Sequence, residues 1–219
     1  MKPTKMEGVF TEKNRIFTEN LESCRGIRVY NERLITYKKR EFRSWNPYRS
    51  KLAAAILKGL DFPIKPTSRV LYLGAATGTT VSHVSDIVKN GVVYAVESSP
   101  VAVYSLIKVS EKRPNIIPIL GNANHPDRYT SLVSSVDLIY QDISQRNQAD
   151  IFIVNAAKYL TQDGNGICMV KARSIDISLQ PKQTYELVCS QLEEHGLKVV
   201  KIIDLTPYEK DHAAFYTVI

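Results

Sequence analysis

Residues 69–82, RVLYLGAATGTTVS, constrain this chain more than any other stretch. Residues 70–73 form a short apolar run rich in β-formers, which Gly74 and Gly78 interrupt. From Thr79 onward the apolar residues Val81, Val84 and Ile87 recur at helical spacing. The pattern predicts a strand, a tight glycine turn and a helix start. Such a turn lets backbone N–H groups approach a ligand closely, and the positive end of the next helix favours an anionic group placed there. The dinucleotide fingerprint G-x-G-x-x-G is absent, because Ala75, Ala76 and Thr77 separate the two glycines. A second apolar run, 92–96, ends at Glu97, an acid placed to accept hydrogen bonds from a ribose diol. Turn and acid together suit both NAD and S-adenosylmethionine (SAM), and the spacing favours SAM. The bland alternative is a plain βα turn followed by a surface glutamate.

Beyond the turn, strands and helices alternate. Helices are predicted over 100–111, 129–133, 147–159 and 182–195, and strands over 116–120, 136–140 and 166–170, the last ending at Lys171. The final strands, 197–203 and 213–218, are joined without room for a helix and should therefore be antiparallel. The expected fold is α/β: a Rossmann-like, seven-stranded, mostly parallel sheet with an antiparallel edge strand, as in SAM-dependent methyltransferases. Ligands of such sheets bind beyond the carboxyl ends of the strands, where strand order reverses. Gly74, Glu97, Asn122, Asp142 and Lys171 each follow a predicted strand and should line one crevice.

Upstream, β-favouring runs at 8–11, 15–18, 26–30, 34–37 and 41–45 predict a small N-terminal antiparallel β domain over residues 1–50, leaving 51–219 as the methyltransferase domain. Ser50 is a candidate N-cap for a helix over 52–57. The formal net charge of +7 is concentrated here: residues 1–60 hold 14 Lys and Arg against 6 Asp and Glu, whereas 61–219 hold 15 against 16. Concentrated positive charge points to a polyanion or an acidic protein surface as partner, against the alternative of a merely solvated basic face. No apolar stretch approaches the roughly 20 residues of a membrane span, and the N-terminus shows no apolar signal core. A cytoplasmic protein with no membrane partner is expected. Cys24, Cys168 and Cys189 are too few and too far apart for a disulfide framework or a zinc site, so no metal is expected.

Methyl transfer requires an oxygen nucleophile held in line with the methyl donor, and a way to manage its proton. Asp142 and Lys171, at the tips of strands flanking the crevice, are expected to pair. The lysine would stabilise a developing alkoxide, and the aspartate would orient it. A purely structural ion pair is the alternative. Lys51 and His212 are further polar candidates, and a structural or exposed histidine is the bland reading of His212.

The runs WNPYRSKLAAAI, YLGAATGTTVSHVSD, YQDISQRNQADI, VKARSIDIS and PYEKDHA resemble the matching segments of fibrillarin, the 2′-O-ribose methyltransferase family of box C/D ribonucleoproteins. The similarity extends over essentially the whole chain. Lacking a glycine/arginine-rich tail, the sequence resembles the archaeal form. The resemblance implies SAM as methyl donor and a Lys-Asp-Lys-His tetrad at Lys51, Asp142, Lys171 and His212. It also implies cofactor contacts at Gly74, Ala76, Thr79, Thr80, Glu97, Ala123, Asp142 and Gln145. A further cofactor position, usually Asp in the family, is Asn122 here, whose amide oxygen could still accept from the adenine amino group. Implied partners are box C/D guide RNA, target RNA (pre-rRNA and tRNA), a Nop-type scaffold and a kink-turn-binding protein. No RNP-type aromatic cluster, KH-like GxxG loop or zinc knuckle supplies sequence reading. An NAD oxidoreductase, a non-catalytic RNA-binding assembly subunit and a small-molecule methyltransferase stand as alternatives.

Overall fold

Two of the pairings among the short N-terminal runs close through two-residue hairpins. In the computed structural model, which describes residues 1–219, β1 (Lys2–Pro3), β2 (Val9–Glu12), β3 (Arg15–Glu19), β4 (Leu34–Tyr37) and β5 (Arg40–Trp45) form an antiparallel sheet in the order β1-β2-β3-β5-β4. The turns Lys13-Asn14 and Lys38-Lys39 place both residues at positive φ, the geometry that matches the right-handed twist of the flanking strands. The strand predicted over 26–30 does not form. The Glu32 carboxylate turns back and accepts the backbone N–H groups of Val29 and Tyr30 at 2.8–3.0 Å, taking the donors a ladder would have used.

The remaining elements are α1 (Lys51–Leu57), β6 (Arg69–Leu73), α2 (Thr79–Ile87), β7 (Val92–Glu97), α3 (Pro100–Ser110), β8 (Ile116–Leu120), β9 (Val136–Gln141), α4 (Gln148–Tyr159), β10 (Leu160–Lys171), α5 (Ala172–Ile175), α6 (Pro181–Glu194), β11 (Lys198–Asp204) and β12 (His212–Val218). Their seven strands form one sheet in the order β11-β12-β10-β9-β6-β7-β8. Pairing is parallel except at β12, which is inserted antiparallel between β10 and β11. The sequence predicts this α/β class and its antiparallel edge. Two details differ. The helix predicted over 129–133 is a 3-10 turn at Pro126–Tyr129, where Pro126 occupies the first position. The strand predicted over 166–170 starts at Leu160 and carries an irregularity before Asn165.

Central strands are apolar on both faces, as parallel strands covered by helices must be. Along β6 the period of two sends Val70 and Tyr72 into one core and Leu71 and Leu73 into the other. The first of these cores also takes Met6, Val9, Ile16 and Trp45 from the small sheet. Helix α2 is therefore enclosed, and every residue from Thr80 to Ile87 is buried. No helix is long and apolar enough to cross a membrane.

Enclosure forces the polar side of α2 to find partners inside the protein. Arg43 of β5 is fully buried; it donates from Nε to Glu32 at 2.7 Å, from Nη1 to Asp86 at 2.8 Å and from Nη2 to the Ser82 hydroxyl at 2.8 Å. Arg113 also bonds Asp86, and reaches Asn20 at 2.8 Å. The Thr18 hydroxyl donates to Asp86 at 2.7 Å, so its oxygen must accept from His83 Nδ1 at 2.7 Å, while His83 Nε2 lies 2.6 Å from the Tyr30 phenol oxygen, which also stands 3.2 Å from the Ser44 carbonyl. The surroundings of the ring favour its neutral form. Burial, then the charges of Arg43 and Arg113, push its pKa well below the ordinary 6.5. For Glu32, burial pushes upward, but Arg43 and the Tyr30 and Val29 N–H groups outweigh it and hold the carboxyl below 4.5.

Removing one partner from such a set leaves buried charge uncompensated, so Arg43→Ala is expected to cost about 3–5 kcal/mol in denaturant unfolding. A variant as stable as the parent would show the network to be dispensable. Both shifted groups have folded pKa values below their unfolded ones, so their stabilising effect is full above the unfolded values and is lost as pH falls. Stability should hold above about pH 6.5, fall below it as unfolded His83 takes up a proton, and fall further below about 4.5 with Glu32. A His83→Gln variant should lose the upper step.

Candidate active site

Strand order reverses between β6 and β9, and the crevice opens where their carboxyl ends diverge. Leu73 and Gln141 are paired, so Gly74 and Asp142 leave the sheet side by side, with Asp142 N–H donating to the Leu73 carbonyl at 2.9 Å. Gly74 adopts φ +84°, and a Cβ there would lie 2.4 Å from the Asp142 carbonyl oxygen. Only glycine fits. The turn continues through Ala76 at φ 47°. Its N–H donates to Glu97 Oε2 at 2.8 Å, while Ser99 N–H donates to Oε1 at 2.9 Å. The acid at the tip of β7 is thereby fixed in orientation before any ligand arrives.

A cleft of about 240 Å³ lies over this junction, lined by Gly74, Ala76, Glu97, Asn122, Ala123, Asp142 and Gln145 together with Val96, Ser98, Gly121, Ile143 and Ser144. Thr79 and Thr80 do not line it. Thr79 faces a neighbouring cleft. Thr80 donates to the Ser50 hydroxyl at 3.0 Å, and Ser50, the N-cap of α1, accepts from Ala53 N–H at 3.3 Å. Asn122 is oriented otherwise than its expected role requires. Its Oδ1 already accepts from Asn124 N–H and Nδ2 at 3.0 and 2.9 Å, leaving its Nδ2 as the free donor. Asn124 also donates to Gln145 at 3.0 Å and accepts from Asn147 at 2.7 Å, making a rim of linked amides. Asn124 and Asn147 had no motif to announce them; the local richness in amides was the one signal.

Four candidate catalytic side chains approach from different elements. Lys51, the first residue of α1, donates to both oxygens of Asp142 at 2.9 and 3.1 Å, with the pair about four-fifths buried. The expected pairing of Asp142 with Lys171 is not present. Cys168 pairs with Gln141, so Asp142 stands one residue beyond that row and Lys171 three, and the staggered strand ends leave Asp142 to Lys51. Lys171 has no ion-pair partner. Its backbone is clamped on both sides by buried Gln148, which accepts from Lys171 N–H at 2.9 Å and donates to its carbonyl at 3.3 Å. His212 pairs with Lys171 across the β10–β12 ladder. Its Nδ1 lies 2.7 Å from the Lys210 carbonyl, which can only accept, so Nδ1 carries a hydrogen and Nε2 is the ring nitrogen left without a partner. Beneath the site the Cys168 thiol is pushed up to about 12 by burial and then by the Asp142 charge, so it is held as a neutral thiol.

A glycine turn, an acid at the tip of the second strand and a cleft at the switch point of this strand order define the SAM-dependent methyltransferase class. Within that class, the family model for fibrillarin matches residues 1–219. The fibrillarin-like rRNA/tRNA 2′-O-methyltransferase of Saccharolobus islandicus is 49% identical over 220 residues, covering 97% of this chain and 94% of that protein. Aeropyrum pernix fibrillarin, solved with natively bound SAM, superposes with a TM-score of 0.90 at 42% identity, over 99% of this chain and 96% of that one. A fibrillarin solved in complex with Nop5p gives 0.90 at 40% identity, over 99% of both chains. The chain belongs to the fibrillarin family.

Gly74→Ala is expected to destabilise the fold and to displace Asp142 from Lys51, because both the positive φ and the 2.4 Å approach oppose a Cβ. Calorimetric unfolding and a structure of the variant test this; unchanged melting and an intact ion pair would refute it.

Proposed function

We propose that this chain is a SAM-dependent 2′-O-ribose methyltransferase acting on rRNA and tRNA within a guided ribonucleoprotein. The carrying observation is the Lys51–Asp142 ion pair at the cleft mouth, with Lys171 and His212 paired on the adjoining strand ends. The donor set fits SAM. Glu97 presents a pre-oriented carboxylate for a ribose diol, and the Asn122 and Gln145 amides and the Ala123 backbone form a polar wall for the adenosine end. Asn122 offers Nδ2 as a donor to a ring nitrogen, where an aspartate would accept from an amino group. Thr80, removed from direct contact, positions α1 through Ser50.

Bound SAM supplies a methyl group on a sulfonium. The protein has to align a ribose 2′-hydroxyl with it and handle one proton. Asp142, held by Lys51, orients the reacting groups at the junction of the two strands. The ammonium of Lys171, free of any carboxylate, stabilises the developing alkoxide. His212, with Nδ1 committed to the Lys210 carbonyl, offers Nε2 to take the proton directly or through water. Residues 1–50 are assigned as a separate small domain, since the first sheet ends at Trp45 and α1 begins at Lys51. Choice of target nucleotide falls to base pairing in box C/D guide RNA, assembled with a Nop-type scaffold and a kink-turn-binding protein, and the cytoplasm is the assigned compartment.

Asp142→Ala and Lys171→Ala should each abolish most transfer while leaving the fold intact; folded variants with parental rates at saturating SAM would overturn these roles. Glu97→Ala should weaken SAM binding at least about tenfold by calorimetry, since hydrogen bonds to a charged acceptor are worth about 1.5–3 kcal/mol each. Transfer assays with and without guide RNA and partners test the assembly. Efficient site-specific methylation by the chain alone would refute it.

A further inference from the structure

A second cleft, of about 390 Å³, lies on the far side of the glycine turn, between residues 27–30 and α3. Thr77 and Thr79 form part of its wall, so the turn whose Ala76 faces the cofactor cleft has this cleft at its back. The composition of the wall is one-sided. It contains Arg28, Lys108, Lys112 and Arg113, and no aspartate or glutamate. Arg113 is spent on buried Asp86. The other three are exposed and form no ion pair with any carboxylate. Lys108 rests over the Tyr104 ring at 4.4 Å, an arrangement that steadies the ammonium without neutralising it.

Size alone does not single this cleft out. A larger cleft of about 1020 Å³ beside the small sheet also carries lysines and an arginine, but Glu7, Glu19, Glu22 and Asp86 stand among them, and Arg40 is bound to Glu19. Unbalanced charge belongs to the smaller one. It is also connected to the proposed catalytic group. Tyr30 lines the cleft and carries the Arg49 guanidinium 5.9 Å from its ring centroid; Arg49 in turn precedes Ser50 and Lys51 and has no ion-pair partner. Arg28, Lys108 and Lys112 thus line the cleft, and Arg49, two residues before Lys51, lies over its Tyr30 wall.

We propose that this cleft is a phosphate-binding subsite that grips the RNA backbone near the methylated nucleotide. The inference rests on the reading of the chain as an RNA methyltransferase. Its ligand chemistry is the phosphodiester. Arg28 supplies planar paired donors, Lys108 and Lys112 supply mobile point charges, and the threonine hydroxyls supply neutral donors. Such contacts fix register on a strand and carry no sequence information, which suits a chain that leaves target choice to a guide.

The test uses the full chain and a pre-annealed guide–target RNA duplex, with dissociation constants measured over a salt series for the parent, for Arg28→Ala, Lys108→Ala and Lys112→Ala, and for the triple variant. Each lost phosphate contact should reduce the slope of log K against log salt by about 0.7–0.9, and the triple variant should lose about 2–3 in total. Melting temperature and SAM affinity should stay at parental values, and kcat at saturating RNA in the assembled complex should change less than kcat/KM. Unchanged slopes would overturn the subsite and leave the enzyme assignment standing. Unchanged slopes with weakened scaffold binding would give the cleft to an acidic protein surface, which also overturns it. A parent complex that binds SAM yet transfers no methyl group to RNA would instead bring down the functional reading and this inference with it.

Discussion

Arg43 and Arg113 converge on Asp86 inside the protein, and the placement of α2 depends on that contact. Burying three charges is expensive, and ion pairs of this kind often contribute little net stability compared with a well-packed apolar set. Their consequence here is geometric. Asp86 lies on α2, Arg43 on β5 and Arg113 just after α3, so one carboxylate fixes the small sheet, the helix and the end of the next βα unit relative to one another. His83 and Thr18 complete the set, with Trp45 stacked on the His83 ring at 4.8 Å. The clamp grips α2 at Ser82, His83 and Asp86, and the first turn of that helix begins at the glycine loop.

From the amino end of α2 the constraint passes to the chemistry through few atoms. Thr80 holds Ser50, Ser50 caps α1, and α1 starts with Lys51, whose ammonium is seated on Asp142. Asp142 in turn leaves β9 against the backbone of Gly74. The circuit closes on the glycine turn, so the cofactor cleft and the Lys51–Asp142 pair share one frame. Lys171 and His212 stand outside it. They are aligned by the β10–β12 ladder and by the Gln148 clamp, which ties them to the sheet itself.

Local signals in the sequence carry the strand–turn–helix, the place of Glu97 at a strand end and the alternation of seven strands with helices, because each depends on periodicity, glycine placement or loop length within a short window. The features that escaped them depend on partners distant in the chain. Residues 26–30 have strand composition, yet Glu32 captures their N–H groups because Arg43 draws it inward. Asp142 and Lys171 do stand at strand tips, as their sequence context predicts. Their pairing failed on a two-residue stagger between neighbouring strand ends, which no single-chain pattern encodes. Asn122 shows the same limit at the scale of one amide: its residue type permits acceptance from an adenine amino group, and Asn124 has already taken that oxygen.

Net charge along the chain misleads in a similar way. The first 60 residues hold nearly half of the Lys and Arg, yet folding disperses them. Arg43 is buried in the core, Arg40 is neutralised by Glu19, Lys38 and Lys39 form a hairpin tip, and Lys51 is engaged by Asp142. The unpaired patch beside the glycine turn draws Arg28 and Arg49 from this quarter but takes Lys108 and Lys112 from the part of the chain whose charges nearly cancel. A surface that a polyanion would meet is therefore assembled by α2 and α3 packing against the N-terminal segment. Its charge follows from the same buried contact that sets the cofactor turn, so the geometry for donor and acceptor depends on one interior arrangement.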